Sequence, residues 1–445
     1  MSAEKHLAAD VRPREVVGWA MYDFANSGYT TVVITAIFNA WFVSGIAGKA
    51  AWATFAWTAA LSISYAAILV SAPFIGAWAD THAAKKRILA LTTAGCIVFT
   101  AALSLAGPGD VALAMLFIVL SNFFFGTGEN IVAAFLPELA RGKALGKVSG
   151  WGWSLGYLGG IVSLGACLAW VTHARGLGQT AEQFVPVTLF ITAGLFLLAS
   201  LPTFLFLRER GVPQPAATIE AERLAGHAIR EAYARVSDTL RHAARYRDLR
   251  RFLVCIVFYQ AGIQTVIALA AIYAEQALGF STGDTIVLIL IVNLTAAAGA
   301  FAFGYLQDRV GHVTAIALTL AGWIAMTLIA ALSETRASFW VAANIAGVCL
   351  GSSQSAGRAL VAYLSPADRH AEFFGLWGLA VKLSSILGPL TYGTVTWVSG
   401  GDHRLAMLVT GGFFVAGLLL LFGIDVARGR AAVAGAADRT TPVSP

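Results

Sequence analysis

Polar and apolar positions alternate along this chain on the scale of helices. Apolar runs fall near 16–44, 52–79, 88–107, 111–136, 148–172, 185–207, 251–277, 284–306, 312–333, 338–362, 372–399 and 403–426. An α-helix needs ~20 apolar residues to cross a hydrocarbon core of ~30 Å. The pattern therefore predicts twelve transmembrane helices. A β-barrel is excluded, because the runs are too long and lack a two-residue alternation. Few runs are uniformly apolar. Gly, Ser, Thr, Asn and Gln recur within them, as expected of helices packed on one another around a wet cavity.

Composition agrees with the pattern. Hydrophobic residues make up 58% of the 445 positions and charged residues 12%, against ~25% charge in soluble domains. A soluble enzyme, a disordered regulator and a coiled coil are thereby excluded. The net charge of +6 is spread over short loops beside apolar runs, so it is no nucleic-acid footprint. With the N-terminus inside, the arm, the even-to-odd loops and the tail hold 24 of the 30 Lys and Arg residues. The opposite loops hold Lys49, Arg175, Arg336 and Arg404, and two basic residues lie within spans. The positive-inside rule then places both termini in the cytoplasm. The polar N-terminus carries no apolar core, so no cleaved signal peptide is expected. Cys96, Cys167, Cys255 and Cys349 lie inside apolar runs without ligand spacing and read as packing residues.

The longest polar stretch, 208–250, separates the sixth span from the seventh and is rich in arginine. Ile229, Tyr233, Val236 and Leu240 recur at helical spacing among Arg230, Arg235 and Arg241. Two readings stand: a basic amphipathic helix on the anionic leaflet, or a solvated linker. The expected organisation is a six-helix bundle over 1–207, this linker over 208–250, a second bundle over 251–427 and a disordered tail over 428–445.

The halves resemble each other. Gly76 and Asp80 after the second span recur as Gly304 and Asp308 after the eighth, offset by 228 residues. Gly160 and Gly388 keep the same offset, and Pro137 and Pro366 differ by 229. A constant offset argues for duplication of a six-helix unit, a transporter plan in which two halves rock about a midplane site.

The Gly304–Gly311 pattern, G-x-x-x-D-R-x-G, and its degenerate copy at Gly76–Arg87 resemble the loop motif of the major facilitator superfamily. The first copy departs from it with Thr81 where Arg is usual and Ala83 where Gly is usual. Gly18-Trp19-Ala20-Met21-Tyr22-Asp23-Phe24-Ala25-Asn26-Ser27 resembles the opening motif of the vacuole-effluxer, autophagy-related 22-like branch. Ala371–Gly375 and Lys382–Pro389 also look like that branch. The resemblance implies the major facilitator fold, two pseudo-symmetric six-helix bundles, alternating access and a monomer. It also implies that spans one, four, seven and ten line the cavity, with span eleven partly facing it. The eukaryotic branch is associated with efflux of amino acids from the vacuole. Usage rich in Ala and Arg and poor in Lys suggests a GC-rich bacterium, where the membrane would be the cytoplasmic one.

An ionisable group inside the bilayer costs ~2.5–3.5 kcal/mol on the insertion scale. Asp23, Glu129, Arg358 and Lys382, in spans one, four, ten and eleven, are therefore the primary site candidates. Tyr22, Asn26 and Tyr29 share a helical face beside Asp23. They read as a cavity-facing stripe with Asp23 as proton carrier or cation contact, or as a structural cap. Asn122, Glu129 and Asn130 flank Gly126 and Gly128 in span four. Glu129 lies deeper, where a carboxylate needs a cation or a proton, and is the stronger candidate for proton coupling. The alternative is a fixed ion pair with Arg358: the 228-residue offset carries Glu129 to Gly357, next to Arg358, so such a pair would bridge the halves as a gate or brace. Lys382 sits near mid-span and needs an anion, a protein acid or the substrate. If the substrate is an amino acid, Lys382 or Arg358 would hold its carboxylate and Asp23 or Glu129 its ammonium.

Gln354 lies four residues before Arg358, Gln260 and Gln264 form an amide pair in span seven, and Trp153 and Tyr157 an aromatic pair in span five. Each is a candidate substrate contact. Asn293 and the glycines of span five read as packing. At the loop motifs, Asp80 and Asp308 can face the positive N-terminal ends of helices in the other half. By resemblance these are helices eleven and five, and Arg309 and Arg141 would complete the charge clusters of the gate.

The reading is a secondary transporter of a small polar, amino-acid-like solute, proton-coupled or facilitative. Alternatives are an exporter of a larger amphipathic compound and a non-transporting sensor of the same fold. No catalytic set, metal site or ATP-binding Gly-Lys-Ser/Thr motif is found, so neither enzyme activity nor a cofactor is expected. The implied partners are a small-molecule substrate and the lipid bilayer.

Overall fold

A computed structural model describes residues 7–8, 10–48, 50, 52–211, 213, 246–278, 280, 282–367 and 369–437. Twelve long helices run through it. The first half holds α1 (Pro13–Tyr29), α2 (Ala53–His82), α3 (Lys85–Ala102), α4 (Val111–Ala133), α5 (Leu145–Gly176) and α6 (Ala181–Phe206). The second holds α7 (Arg247–Leu278), α8 (Thr282–Val310), α9 (His312–Leu332), α10 (Arg336–Leu364), α11 (His370–Val398) and α12 (His403–Leu421). Each half packs as one bundle. The residues proposed for an amphipathic helix, Ile229 to Leu240, lie outside the described residues. The tail expected to be disordered from 428 instead begins as a helix, α13 (Val426–Ala437). Arg428 and Asp425 tie it to Asp248 at the start of α7. Residues 438–445 lie outside the described residues.

Eleven of the helices are apolar enough over a membrane-length window to span by composition. The twelfth, α10, is 29 residues long but interrupted by Ser352, Ser353, Gln354, Ser355 and Arg358. Every residue from Gly351 to Ala362 is buried, so these polar groups face protein and not lipid. Tertiary position overrides the hydropathy requirement here.

Helix one continues beyond Tyr29 through π-helical turns at Thr30–Ala36 and Phe42–Ile46. The run Thr30-Thr31-Val32-Val33-Ile34-Thr35 crowds the backbone. Thr31 and Thr35 donate to the carbonyls of Ser27 and Thr30 at 2.8 and 3.0 Å. Such back-bonding and β-branching favour a locally widened helix. Both motif loops end on a residue of positive φ: Gly311 has φ 88° and ψ 161°, and Ala83, 228 positions earlier, has φ 47° and ψ 52°, in the left-handed helical region. An alanine in the left-handed region costs ~1–2 kcal/mol that glycine avoids.

The bundles meet along two seams related by the internal repeat: α2 against α11, and α8 against α5. A Cβ on Gly76 would meet the Ala371 carbonyl, and one on Gly304 the Gly146 carbonyl. Backbone cannot yield as a side chain can. Gly76→Val is expected to separate α2 from α11 at the face that carries the described chain ends. Arg141 and Arg309 are exposed on opposite bundles there. Spin labels at Arg141→Cys and Arg309→Cys should report a longer distance in the Gly76→Val background.

Candidate functional site

Mid-span charges survive in a bilayer when each meets a counter-charge, and here all four do. Arg358 of α10 reaches across the seam to Asp23 of α1, an ion pair at 2.7 Å. Its Nε donates to Ser149 Oγ at 3.1 Å and Nη2 to the Ser149 carbonyl at 3.0 Å. Ser149 Oγ in turn donates to the Ser355 carbonyl at 2.8 Å. The guanidinium lies over the rings of Trp19 and Trp153, 4.6 and 5.3 Å from their centroids. The guanidinium is thus held by two indole rings and by three oxygens, those of Asp23 and Ser149. Gly152 admits this cluster, because a Cβ there would strike both Asp23 and Arg358.

The second pair differs. Lys382 Nζ of α11 stands 3.5 Å from Glu129 of α4, and also lies 5.2 Å from the Tyr65 ring centroid. Glu129 keeps 28% of its side chain exposed, against 3% for Arg358. The contact is longer and more accessible. Lys382 is roughly 18 Å of helix from His370, deep in the membrane. The alternative Glu129–Arg358 pair is therefore not formed. Each half does contribute to each bridge, but Arg358 takes Asp23 and Glu129 takes Lys382.

At the chain-end face, the Glu372 N–H of α11 donates to Asp80 at 3.0 Å. The Gly146 and Lys147 N–H groups of α5 donate to Asp308 at 3.2 and 3.3 Å. Both aspartates thus sit at helix N-termini of the other bundle, where unsatisfied N–H groups and the helix dipole favour an anion. Lys85 joins Asp80 at 3.7 Å and Glu138 at 2.5 Å. Arg141 and Arg309 do not complete these clusters. Both are exposed, and neither pairs with Asp80 or Asp308 among the described residues. Each of these cross-bundle bonds lies at mid-membrane or toward the chain-end face, so the bundles are closed on that side.

Residues 42–434 match the family described as vacuole effluxer Atg22 like. The chain belongs to that family. Among relatives, an uncharacterized MFS-type transporter, YxiO, of Bacillus subtilis is 26% identical over 414 residues, covering 91% of this chain and 93% of that one. Autophagy-related protein 22-1 of Aspergillus fumigatus is 26% identical over 329 residues, 68% of this chain and 53% of the fungal protein. The chain thus spans about half the length of that fungal relative. In fold it resembles the human organic anion transporter MFSD10 (TETRAN), with a TM-score of 0.69 and 16% identity over 92% of this chain and 100% of that one. The protein is an integral, multi-pass transporter of the major facilitator superfamily, and its substrate is a small molecule.

The other candidates of this Atg22-like chain divide by where they point. Tyr22 and Tyr29 do not face a cavity: their hydroxyls bond Thr93 and Ser121 at 2.7 and 2.9 Å, and both rings are fully buried inside the first bundle. The stripe is real but serves packing. Asn26 is buried beside it. Asn122 is likewise structural, donating to Ser64 at 3.0 Å. Asn130 lies in the seam, with its amide against Gly378 of α11 and no hydrogen bond among the described residues. Gln260 donates to Gln354 at 2.6 Å, joining α7 to α10, while Gln264 is partly exposed. Trp153 and Tyr157 pack at 5.9 Å, but Trp153 also covers Arg358. Asn293 donates to its own helix, at Ile289.

Four participants were not singled out from sequence: Trp19, Tyr65, Ser149 and Lys85. Trp19 lies four residues before Asp23, on one helical face with it, and Tyr65 is a polar aromatic next to Ser64 within span two. Those spacings were the available signals. Nothing local distinguishes Ser149 from the other small residues of span five.

Proposed function

We propose that this protein carries a small amino-acid-like solute by alternating access, coupled to protons, with the Lys382–Glu129 pair as the exchange point. The observation that carries this reading is the contrast between the two bridges. Arg358 is buried, with an ion pair to Asp23 and two hydrogen bonds to Ser149, whereas Lys382 has a longer, partly exposed contact. A substrate carboxylate can take the place of Glu129 at Lys382, and the released Glu129 then accepts a proton or the substrate ammonium. The unbonded amide of Asn130, one residue from Glu129, supplies a donor and an acceptor beside them. Asp23–Arg358, Asp80 and Asp308 form the gate that must separate for the chain-end face to open. That face is the cytoplasmic one by its excess of Lys and Arg, with both termini cytoplasmic. The chain acts as a monomer in this scheme.

Liposome counterflow of a labelled amino-acid panel, with and without a pH gradient, tests the reading. At least one amino acid should exchange, and an imposed gradient should drive its accumulation. Exchange that ignores the gradient removes the coupling, and no exchange of any panel member removes the substrate class.

A further inference from the structure

On the lipid-facing side of the α2–α11 seam lies an apolar groove of about 480 Å³. Three helical stripes form it: Val70 and Phe74 of α2, Val254 and Val257 of α7, and Leu379 of α11. Val70 and Val254 are 56% and 46% exposed, so the groove opens to the hydrocarbon region and not to water. One lining residue is charged, Arg250, and it is exposed at the chain-end mouth. Arg250, Val254 and Val257 follow one face of α7. From Arg250 to Val257 that face descends roughly 10 Å into the membrane. The adjacent Arg251 is turned away and donates to the Gly423 carbonyl at 2.8 Å. The arrangement is a cation at headgroup depth above an apolar slot of acyl depth.

We propose that the groove binds one anionic phospholipid of this leaflet, with its phosphate on Arg250 and one acyl chain between α2, α7 and α11. An aqueous solute would gain nothing from the apolar walls, and a neutral lipid would leave Arg250 without a counter-charge. The walls come from both bundles, so the lipid is held by the closed arrangement of the chain-end face. It therefore favours that arrangement by mass action. The inference does not depend on the substrate reading, because the groove is separate from the Lys382–Glu129 pair.

Native mass spectrometry of the full chain in detergent, with dioleoylphosphatidylglycerol and dioleoylphosphatidylcholine at equal concentration, tests it. Wild type should retain one phosphatidylglycerol in roughly fivefold preference, the worth of one arginine at an anionic surface. Arg250→Ala should bring the ratio to about one with the gel-filtration profile unchanged. Val254→Trp, which fills the slot, should reduce retention of both lipids. Arg309→Ala, exposed elsewhere on the same face, should change nothing. Equal retention of the two lipids, or of neither, by wild type overturns the proposal. So does a preference that survives Arg250→Ala or falls equally in Arg309→Ala, or retention unaffected by Val254→Trp.

Discussion

Arg358→Ala is expected to open the chain-end face and to abolish transport. The substitution leaves the Asp23 carboxylate buried against Gly152 and Trp19 with no cation. Removing one member of a buried pair costs ~3–5 kcal/mol, mostly through the stranded partner. Because Asp23 and Arg358 sit on opposite bundles, that cost falls on the closed arrangement and not on either bundle alone. At 1.4 kcal/mol per decade, the closed-to-open ratio should fall by roughly two to three and a half decades. Distances between spin labels at positions 141 and 309 should lengthen, and counterflow should drop more than tenfold. Arg358→Lys keeps the charge but cannot serve Asp23 and both Ser149 oxygens at once, so it should be intermediate. The double variant Asp23→Asn with Arg358→Gln should be milder than Arg358→Ala, since it strands no charge. Unchanged label distances together with normal flux in Arg358→Ala would falsify the lock.

The sequence made some of this legible and hid the rest for physical reasons. Membrane-length runs fix helix number, and a constant offset between Asp80 and Asp308 reveals the repeat, because both are properties of spacing. The four mid-span charges were also visible, since a charge within an apolar run stands out in any register. Pairing was not visible. An offset argument placed Glu129 beside Arg358, yet the rotation of α10 about its axis turns Arg358 toward α1 and α5. That rotation is set by packing, including the glycines of α5 that let α1 and α8 approach. The same blindness explains Tyr22 and Tyr29. Their shared face was read from spacing, but whether it faced the seam or the bundle interior depended on Thr93 and Ser121, 71 and 92 residues away. Motif resemblance pointed to arginines around Asp80, whereas Lys85 satisfies it here, in the copy where Thr81 replaces the usual Arg.

Lys382→Ala and Glu129→Gln should fail in different ways, and the difference separates binding from coupling. Lys382→Ala removes the cation that faces both Glu129 and the Tyr65 ring. Truncating one side of a fully buried charge pair costs ~2–5 kcal/mol, and the partly exposed Lys382 site belongs at the low end of that range. A substrate carboxylate that depends on it should lose affinity by about two decades, so both counterflow and gradient-driven accumulation should disappear. Glu129→Gln keeps the side chain's size and leaves Lys382 charged and free for a carboxylate. Exchange down a concentration gradient should persist near the wild-type rate, while the response to an imposed pH gradient should vanish, because the proton no longer has a carrier that competes for Lys382. Asp23→Asn would not mimic this result. Asp23 is locked to Arg358 and should behave as a gate residue, with a conformational shift and poor exchange. If Glu129→Gln still accumulates solute against its gradient, the proton carrier lies elsewhere. If Lys382→Ala exchanges normally, the substrate carboxylate is held by another residue and the contrast between the two bridges has been read in the wrong direction.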